Sequence, residues 1–247
     1  MFWNKKLRYT DEEVMMLVER SSLKHIAFIM DGNGRWATKK SLPREAGHAR
    51  GASAFRNILH VCEDFGIETV TVYAFSTENW SRPKKEIDAL MNLLEEYIAE
   101  AARDNEKNNI RYYFLGDKDG LGEKFSERCK RLEKMTENNK FILNIALNYG
   151  SRAEITTAVN KLLREGREMV TEADISASLY TSHCADPDLI VRTAGEYRLS
   201  NFLLWQAAYS EIYVTDVLWP DFGRDELIKA IVDFSKRKRK FGAVADG

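Results

Sequence analysis

The chain has 247 residues, of which 44% are hydrophobic and 30% are charged, and its formal net charge is −1. These values are typical of a soluble globular protein with a sizeable core, and they exclude the strongly basic surface that nucleic-acid binding requires. The sequence contains neither a signal peptide nor an apolar run of about 18 residues, so we expect a cytoplasmic protein that does not span a membrane.

The first 24 residues form a charged amphipathic lead. Thr10 and Glu13 have the spacing of a capping box, which predicts a helix over residues 11–21. The sequence shows no repeat, low-complexity linker or domain boundary after this lead, so we expect residues 25–247 to form one domain.

Strand-like and helix-like segments alternate along this domain. Strands are predicted at residues 25–30, 68–75, 110–115, 141–147, 188–192 and 212–215. Helices are predicted at residues 44–65, 83–107, 121–138, 152–166, 171–181 and 224–240. This alternation predicts an α/β fold with a largely parallel central sheet of about six strands, flanked by helices. Ligands of such sheets bind beyond the carboxyl ends of the strands.

The most informative segment is the first predicted strand and the turn after it, with the sequence HIAFIMDGNGRW over residues 25–36. Asp31 follows the strand, and Gly32 and Gly34 let backbone N–H groups approach a ligand closely. Arg35 comes directly after these glycines. A carboxylate, a glycine turn and a guanidinium at one strand end suit a diphosphate that is bound with a divalent cation.

The glycines of this turn also fit the dinucleotide-binding fingerprint. That fingerprint requires an acid at the end of the next strand, about 20 residues on, to hold a ribose. The next predicted strand ends instead at Phe75 and Ser76, so nicotinamide binding ranks below diphosphate binding. A glycine turn without any ligand is a further alternative, but it does not explain why Asp31, Arg35 and Trp36 share the turn.

Charged side chains also follow the other predicted strands. Because guanidinium groups match phosphate oxygens, a cluster of them indicates a polyanion site. Ordinary surface ion pairs are the alternative, and they are disfavoured because the charges follow strands instead of outer helix faces. Arg44 and His48, four residues apart, share a face of the next predicted helix. The expected rim consists of Arg35, Arg82, Arg192 and Arg198, with the acids Asp31, Glu78 and Glu211 among them.

Apolar side chains lie close to these arginines in the sequence. Trp36, Phe75 and Trp80 could form an apolar wall beside the charged rim, and Ala74 is the small residue of its strand. Such aromatic residues more often belong to the core, and a small residue at position 74 equally permits close helix packing, so the sequence leaves both readings open. An apolar tunnel next to the polyanion site would suit a hydrocarbon-bearing diphosphate. The predicted helix over residues 83–107 would then supply another wall, with Leu90, Leu93, Leu94, Tyr97 and Ile98.

Five segments resemble the signature blocks of the cis-prenyltransferases, and the bacterial undecaprenyl diphosphate synthases are the most similar members. The segments are residues 25–36, 73–82, 144–150, 192–206 and 217–222. The resemblance extends from about residue 24 to residue 242, and the aspartate-rich runs of trans-type prenyltransferases are absent. It implies that residues 25–247 form a Mg²⁺-dependent catalytic domain with an apolar tunnel, and that Ala74 lies in the wall of this tunnel near the reacting end. The implied reaction adds isopentenyl diphosphate to an allylic primer, expected to be farnesyl diphosphate. The expected product is undecaprenyl diphosphate, the precursor of the lipid carrier for cell-wall synthesis.

The resemblance also implies a role for each residue of the site. Asp31 would hold Mg²⁺, Glu211 would complete the metal site, and Asn79 would lie near the proton that leaves. The allylic diphosphate would be bound by Gly32, Asn33, Gly34, Arg35, Arg44 and His48. Isopentenyl diphosphate would be bound by Arg82, Arg192, Arg198 and Ser200. Further substrate contacts are expected from Trp36, Ser76, Thr77, Glu78, Trp80 and Leu199.

Two residues depart from the family pattern. Ala194 stands where the family usually has Ser or Gly, and Ser151 stands where it usually has Gly. These departures place the local loop geometry in question and leave the charged residues intact. A non-catalytic partner subunit is a third hypothesis, and it is disfavoured because the charged residues of the site are all present.

The resemblance implies a homodimer that contacts the inner face of the membrane peripherally for product release. The basic run over residues 236–240 is expected to be a solvated helix end, and contact with anionic lipid is the second reading. The cysteines, Cys62, Cys129 and Cys184, lack the spacing of metal ligands and fit a reducing compartment.

Overall fold

The computed structural model describes residues 9–237, which form a six-stranded sheet with helices packed on it. The strands are β1 (His25–Ile29), β2 (Thr69–Ser76), β3 (Ile110–Leu115), β4 (Phe141–Tyr149), β5 (Leu189–Arg192) and β6 (Glu211–Val214). The helices are α1 (Asp11–Ser21), α2 (Asn33–Lys39), α3 (Arg44–Asp64), α4 (Lys84–Arg103), α5 (Glu123–Met135), α6 (Ser151–Arg164), α7 (Glu172–Ser178) and α8 (Arg224–Ser235).

All neighbouring strands are parallel, in the order β3-β4-β2-β1-β5-β6. The register aligns Ile29 with Arg192 and Arg192 with Val214, so the carboxyl ends of β1, β5 and β6 are level. The loops after these strands therefore meet at one edge of the sheet, as predicted.

The buried strands follow from their sequence. All five residues of β1 are buried, because helices cover both faces of the sheet, and the strand accordingly reads as a continuous apolar run. Thr10 and Glu13 form the predicted capping box at the start of α1. Gly66 follows α3 with a φ of +81°, which is the left-handed conformation that ends helices.

The core lies on both faces of the sheet. On one face Phe28 packs against Trp219 and Phe222, whose rings stack with centroids 5.6 Å apart. Val14 and Val18 of α1 are buried in the same core cluster. The opposite face carries a smaller cluster that includes Tyr149, Ile190, Phe202 and Leu203.

The structure corrects several predicted elements. Helix α2 was not predicted, because it begins inside the glycine turn. Helices α5, α7 and α8 are shorter than predicted, and residues 238–240 of the predicted last helix lie outside the described residues. Across residues 9–237, we find no helix that combines the length and the apolar character needed to span a bilayer.

Candidate active site

Asp31 lies between two arginines just beyond the end of β1. Its Oδ1 atom is 3.0 Å from Nη2 of Arg35, and its Oδ2 atom is 3.0 Å from Nη2 of Arg192. Partial burial raises the pKa of Asp31, but the two guanidinium groups outweigh this effect and hold the pKa below its usual range. Asp31 is therefore an ionised carboxylate at the edge of the sheet where ligands are expected.

Arg192, the last residue of β5, is the buried member of this group. Its side chain is 5% exposed, and it donates to Oγ of Ser200 at 2.9 Å and to the carbonyl of Arg198. The buried Nε atom has no hydrogen-bond partner in the described part of the chain. A buried donor without a partner is costly, so this atom is suited to an oxygen of a bound ligand or water.

The glycine turn packs closely against its neighbours. Gly32 has a φ of +104°, and a Cβ atom there would lie 2.9 Å from Cδ2 of Leu218. A Cβ atom at Gly34 would lie 2.8 Å from Nη2 of Arg44, so the guanidinium of Arg44 rests directly on the turn. Glycine is required at Gly32 because L-residues with side chains rarely adopt this conformation.

A second basic group comes from α3 and from the loop before α4. Arg44, His48 and Arg82 all contact the buried carboxylate of Glu86, at distances of 2.9 to 3.4 Å. Burial lowers the pKa of His48, as do the nearby charges of Arg82 and Arg44, whereas Glu86 opposes the shift. The site therefore gathers cations from segments that are distant in the sequence.

The loop after β2 is held in place by hydrogen bonds. Oδ1 of Asn79 accepts the N–H of Ser76 at 3.0 Å and so caps its own turn. Glu78 accepts from the side chain of Asn201 at 3.0 Å, which joins this loop to the one that carries Ser200. The two loops therefore form a connected wall.

A cavity of about 1020 Å³ extends inward from these charged residues. We call the part of the cavity that these charged residues line its mouth, and the rest of the lining includes apolar side chains of α3, β2 and α4. The predicted residues Ala74, Leu90, Leu93, Leu94 and Tyr97 line it, whereas Ile98 is instead buried in the core. Phe55 and Tyr97 pack against each other with ring centroids 5.4 Å apart. The arrangement can accept a molecule with an anionic head and a hydrocarbon tail.

Comparison with known proteins shows the family to which this chain belongs. The family model for undecaprenyl diphosphate synthases matches residues 29–242. The chain is 51% identical over 228 residues to an isoprenyl transferase of Fusobacterium nucleatum, covering 92% of this chain and 99% of the relative. It is 48% identical to an isoprenyl transferase of Aquifex pyrophilus, covering 90% of this chain and 96% of the relative. The chain belongs to the cis-prenyltransferase family.

Solved structures agree with this assignment. The fold of this prenyltransferase is similar to that of lavandulyl diphosphate synthase from Lavandula x intermedia, whose crystal structure is in complex with dimethylallyl diphosphate. The TM-score is 0.85 and the identity 32%, covering 90% of this chain and 99% of that one. A probable undecaprenyl diphosphate synthase from Campylobacter jejuni gives a TM-score of 0.76 and 35% identity, covering 89% and 98% of the two chains. The predicted α/β fold is confirmed, and the protein is an enzyme that transfers prenyl groups.

The prenyltransferase brings most of its predicted site residues to the cavity. Residues from the strand ends and from α2, α3 and the loop before α4 meet there. The cavity is lined by Asp31, Gly32, Asn33, Gly34, Arg35, Arg44, His48, Ser76, Glu78, Asn79, Arg82, Arg192, Arg198 and Ser200.

Other predicted site residues lie outside the cavity lining. The indole N–H of Trp36 donates to Asp221 at 2.8 Å, and that of Trp80 donates to Asn148 at 2.8 Å. Thr77 hydrogen-bonds to the neighbouring Glu78. Leu199 lines a smaller cavity of about 630 Å³ on the other side of Arg192.

Glu211 is not brought to Asp31 within one chain. It is the first residue of β6 and aligns with Leu189 of β5. Leu189 precedes Arg192 by three residues, so Glu211 lies roughly 10 Å along the strand direction from the level of Arg192. Its carboxylate instead pairs with Nη1 of Arg237 at 2.6 Å. The first residue of a parallel strand lies toward the end of the sheet opposite to the residues that follow strands, so one chain does not place both carboxylates around one cation.

The two departures from the family pattern are accommodated. Ala194 has a φ of +71°, a conformation that costs a residue with a side chain about 1 kcal/mol. Oγ of Ser151 accepts the N–H of Leu204 at 2.9 Å, so this hydroxyl anchors the loop after β5.

The sequence interpretation missed Glu86 and Asn201. Glu86 follows Arg82 by four residues, a spacing that indicates an ion pair on a helix, but its other partners come from α3. Asn201 adopts a φ of +63° and links the loops after β2 and β5. Nothing in the local sequence indicates that link.

Proposed function

We propose that this prenyltransferase uses Mg²⁺ to add isopentenyl diphosphate units to farnesyl diphosphate, with new cis double bonds, and forms undecaprenyl diphosphate for cell-wall synthesis. The observation that carries the proposal is the continuity of a basic, Asp31-containing mouth with an apolar cavity. Phosphate recognition needs the first feature, and a growing hydrocarbon chain needs the second.

Asp31 fits Mg²⁺ as a protein ligand. Mg²⁺ is usually held by one or two carboxylates together with substrate phosphates and water, so a protein cage of several acids is not required. Within residues 9–237 Asp31 does not belong to any group of three potential metal-ligating side chains, and the other ligands of the cation would be substrate oxygens and water. The bound cation would neutralise negative charge that develops on the departing diphosphate.

The basic residues would divide into two diphosphate subsites. Arg35, Arg44 and His48, with the glycine turn, would bind the allylic diphosphate beside Asp31. Arg82, Arg192, Arg198 and Ser200 would bind isopentenyl diphosphate. The ion pairs of Asp31 with Arg35 and Arg192 hold these side chains at the mouth, and each guanidinium retains donors for a phosphate.

These residues promote the reaction mainly by positioning. The allylic C–O bond breaks, the double bond of isopentenyl diphosphate forms the new C–C bond, and a proton leaves. Holding both substrates in place can be worth roughly 7–11 kcal/mol of the barrier. The amide of Asn79 is a weak base, so we infer that it orients a water or a diphosphate oxygen that takes the proton.

A homodimer and peripheral membrane contact belong to the same proposal. Strand β6 is the last strand of the sheet, and it carries Ile212 with 46% exposure near Tyr197 with 85% exposure. A second copy of the chain could cover the outer strand β6. A role for Glu211 at the cation would require such a second copy. We place the enzyme in the cytoplasm, with contact at the inner membrane face where its hydrocarbon product is released.

Incorporation of labelled isopentenyl diphosphate tests the proposal. The purified full-length chain should convert it to butanol-soluble product only when an allylic diphosphate and Mg²⁺ are both present, and EDTA should stop the incorporation. Incorporation that persists in EDTA would contradict the metal requirement. Absence of product with every allylic primer would contradict the activity.

A further inference from the structure

Glu86 is a buried acid behind the basic mouth of the cavity. It lies in the first turn of α4, and its side chain is 8% exposed. Oε1 lies 2.9 Å from Nη1 of Arg82 and 3.3 Å from Nε2 of His48, and Oε2 lies 3.3 Å from Nε of Arg44. One carboxylate therefore contacts three basic side chains, two from α3 and one from the loop between β2 and α4.

The basic side chains and Glu86 differ in their access to the cavity. Arg44, His48 and Arg82 line the cavity, whereas Glu86 lies behind them and is not part of the lining. Arg44 and Arg82 are 60% and 36% exposed at their side chains, so both could turn toward solvent if they were not held. A buried carboxylate is stable only when it is paired, and like charges such as these two guanidiniums repel each other.

We propose that Glu86 is a positioning residue that holds Arg44, His48 and Arg82 toward the cavity and so serves both diphosphate subsites at once. The inference rests on the proposed function, which assigns Arg44 and His48 to the allylic diphosphate and Arg82 to isopentenyl diphosphate. Glu86 itself contacts neither substrate. It neutralises the cations while the subsites are empty and leaves their remaining donors directed at a ligand.

Removing the negative charge should weaken the binding of both substrates together. Glu86→Gln keeps the shape of the side chain but leaves Arg44 and Arg82 uncompensated. We expect the KM of each diphosphate substrate to rise by about tenfold, because charged hydrogen bonds of this kind are lost. The kcat at saturating substrates should change less than either KM, since ground-state and transition-state binding are weakened alike.

The experiment compares three variants of the full-length chain in the presence of Mg²⁺. Glu86→Gln removes the charge, and Glu86→Asp keeps the charge but withdraws it by one carbon, about 1.5 Å. Asp88→Asn is the matched control, because Asp88 lies on the same helix in an exposed ion pair with Lys84 at 2.9 Å. Both KM values, kcat and the melting temperature are measured for each protein, and the pKa of His48 is measured by NMR.

We expect Asp88→Asn to behave as the wild type, Glu86→Asp to show intermediate increases, and Glu86→Gln to raise both KM values. The pKa of His48 should fall further in Glu86→Gln, because Glu86 raises it in the wild type. Wild-type KM values in a folded Glu86→Gln variant, or a rise in only one KM, would overturn the inference. If Glu86→Gln does not fold, wild-type KM values in Glu86→Asp overturn it equally. A wild-type protein without turnover would instead contradict the proposed function.

Discussion

Asp31 is a single carboxylate that the proposed function assigns to the cation of a diphosphate site. Two guanidinium groups keep it ionised, and its side chain is 29% exposed at the cavity mouth. A ligand that brings a cation can therefore reach the carboxylate from solvent. In the proposed function, the allylic diphosphate would bring phosphate oxygens to Arg35 and isopentenyl diphosphate would bring them to Arg192, so both arginines would keep anionic partners.

Replacing Asp31 should remove turnover while the chain still folds. For Asp31→Ala we expect kcat to fall at least about hundredfold, as for the loss of one strong electrostatic contact to the transition state. The free energy of unfolding should fall by about 1–3 kcal/mol, because buried Arg192 loses a charged partner. Steady-state kinetics and urea unfolding measure the two effects, with Asp225→Ala on α8 as the control. Near-normal rates for Asp31→Ala at saturating Mg²⁺ would contradict the metal assignment.

Substitutions of the arginines should change the KM values of the two substrates to different extents. Arg192→Ala and Arg198→Ala should raise the KM of isopentenyl diphosphate more than that of the allylic substrate, because both residues lie at the loop after β5. Arg35→Ala should show the opposite preference. Initial rates with each substrate varied in turn measure this difference, and equal effects on both KM values would show that the subsites are divided wrongly.

Among the structural elements, β2 and α4 supply apolar walls of the cavity. Ala74 lies between Tyr73 and Phe75, where the register of β2 against β4 shifts. The strict alternation of side chains along a strand does not hold at such an irregularity. Ala74 therefore lines the cavity beside Val72 and Tyr73.

A larger residue at Ala74 should shorten the products. Ala74→Leu places a branched side chain in the cavity near the charged mouth, so the first condensations should stay fast while longer chains are blocked. Chromatography of the dephosphorylated alcohols measures product length, and Ala74→Ser, which stays small, is the control. Full-length product from Ala74→Leu would place the growing chain elsewhere.

The six strands were predicted well because each is an apolar or alternating run. Helix α2 could not be predicted, because Gly32, Asn33 and Gly34 favour a turn and the helix depends on close packing against α3. Most of the site could be predicted because its residues follow strands. Glu86 could not, because its partners meet only in the folded chain. Glu211 was grouped with Asp31, although it begins its strand and Asp31 follows the end of β1.

The whole molecule also carries a polar network away from the cavity mouth. His25 at the start of β1 contacts the carbonyl of Ala185 and Oγ1 of Thr71, each at 2.7 Å. His183 contacts Asn144 at 2.8 Å and stacks on Tyr113. Burial lowers the pKa of both histidines to about 4, and for His25 the carbonyl of Ala185 only partly opposes this effect.

These histidines should make the fold sensitive to acid. The unfolded chain takes up protons as the pH falls through about 6.5, whereas the folded chain does so only near 4. The free energy of unfolding should therefore be retained above pH 6.5 and decline between pH 6.5 and about 4. Urea unfolding across this range measures the decline, which His25→Gln should reduce and the exposed His60→Gln should not. A flat profile in the wild type would contradict the burial of His25 and His183 as neutral groups.

Repeated chain elongation is best tested by the mass spectrum of the products formed from farnesyl diphosphate and isopentenyl diphosphate in the presence of Mg²⁺. A site with two diphosphate subsites and an apolar cavity should add five-carbon units one after another. We expect a ladder of polyprenyl diphosphates that ends at a long-chain product, with undecaprenyl diphosphate as the main species. A single condensation product, or no product longer than farnesyl diphosphate, would contradict it.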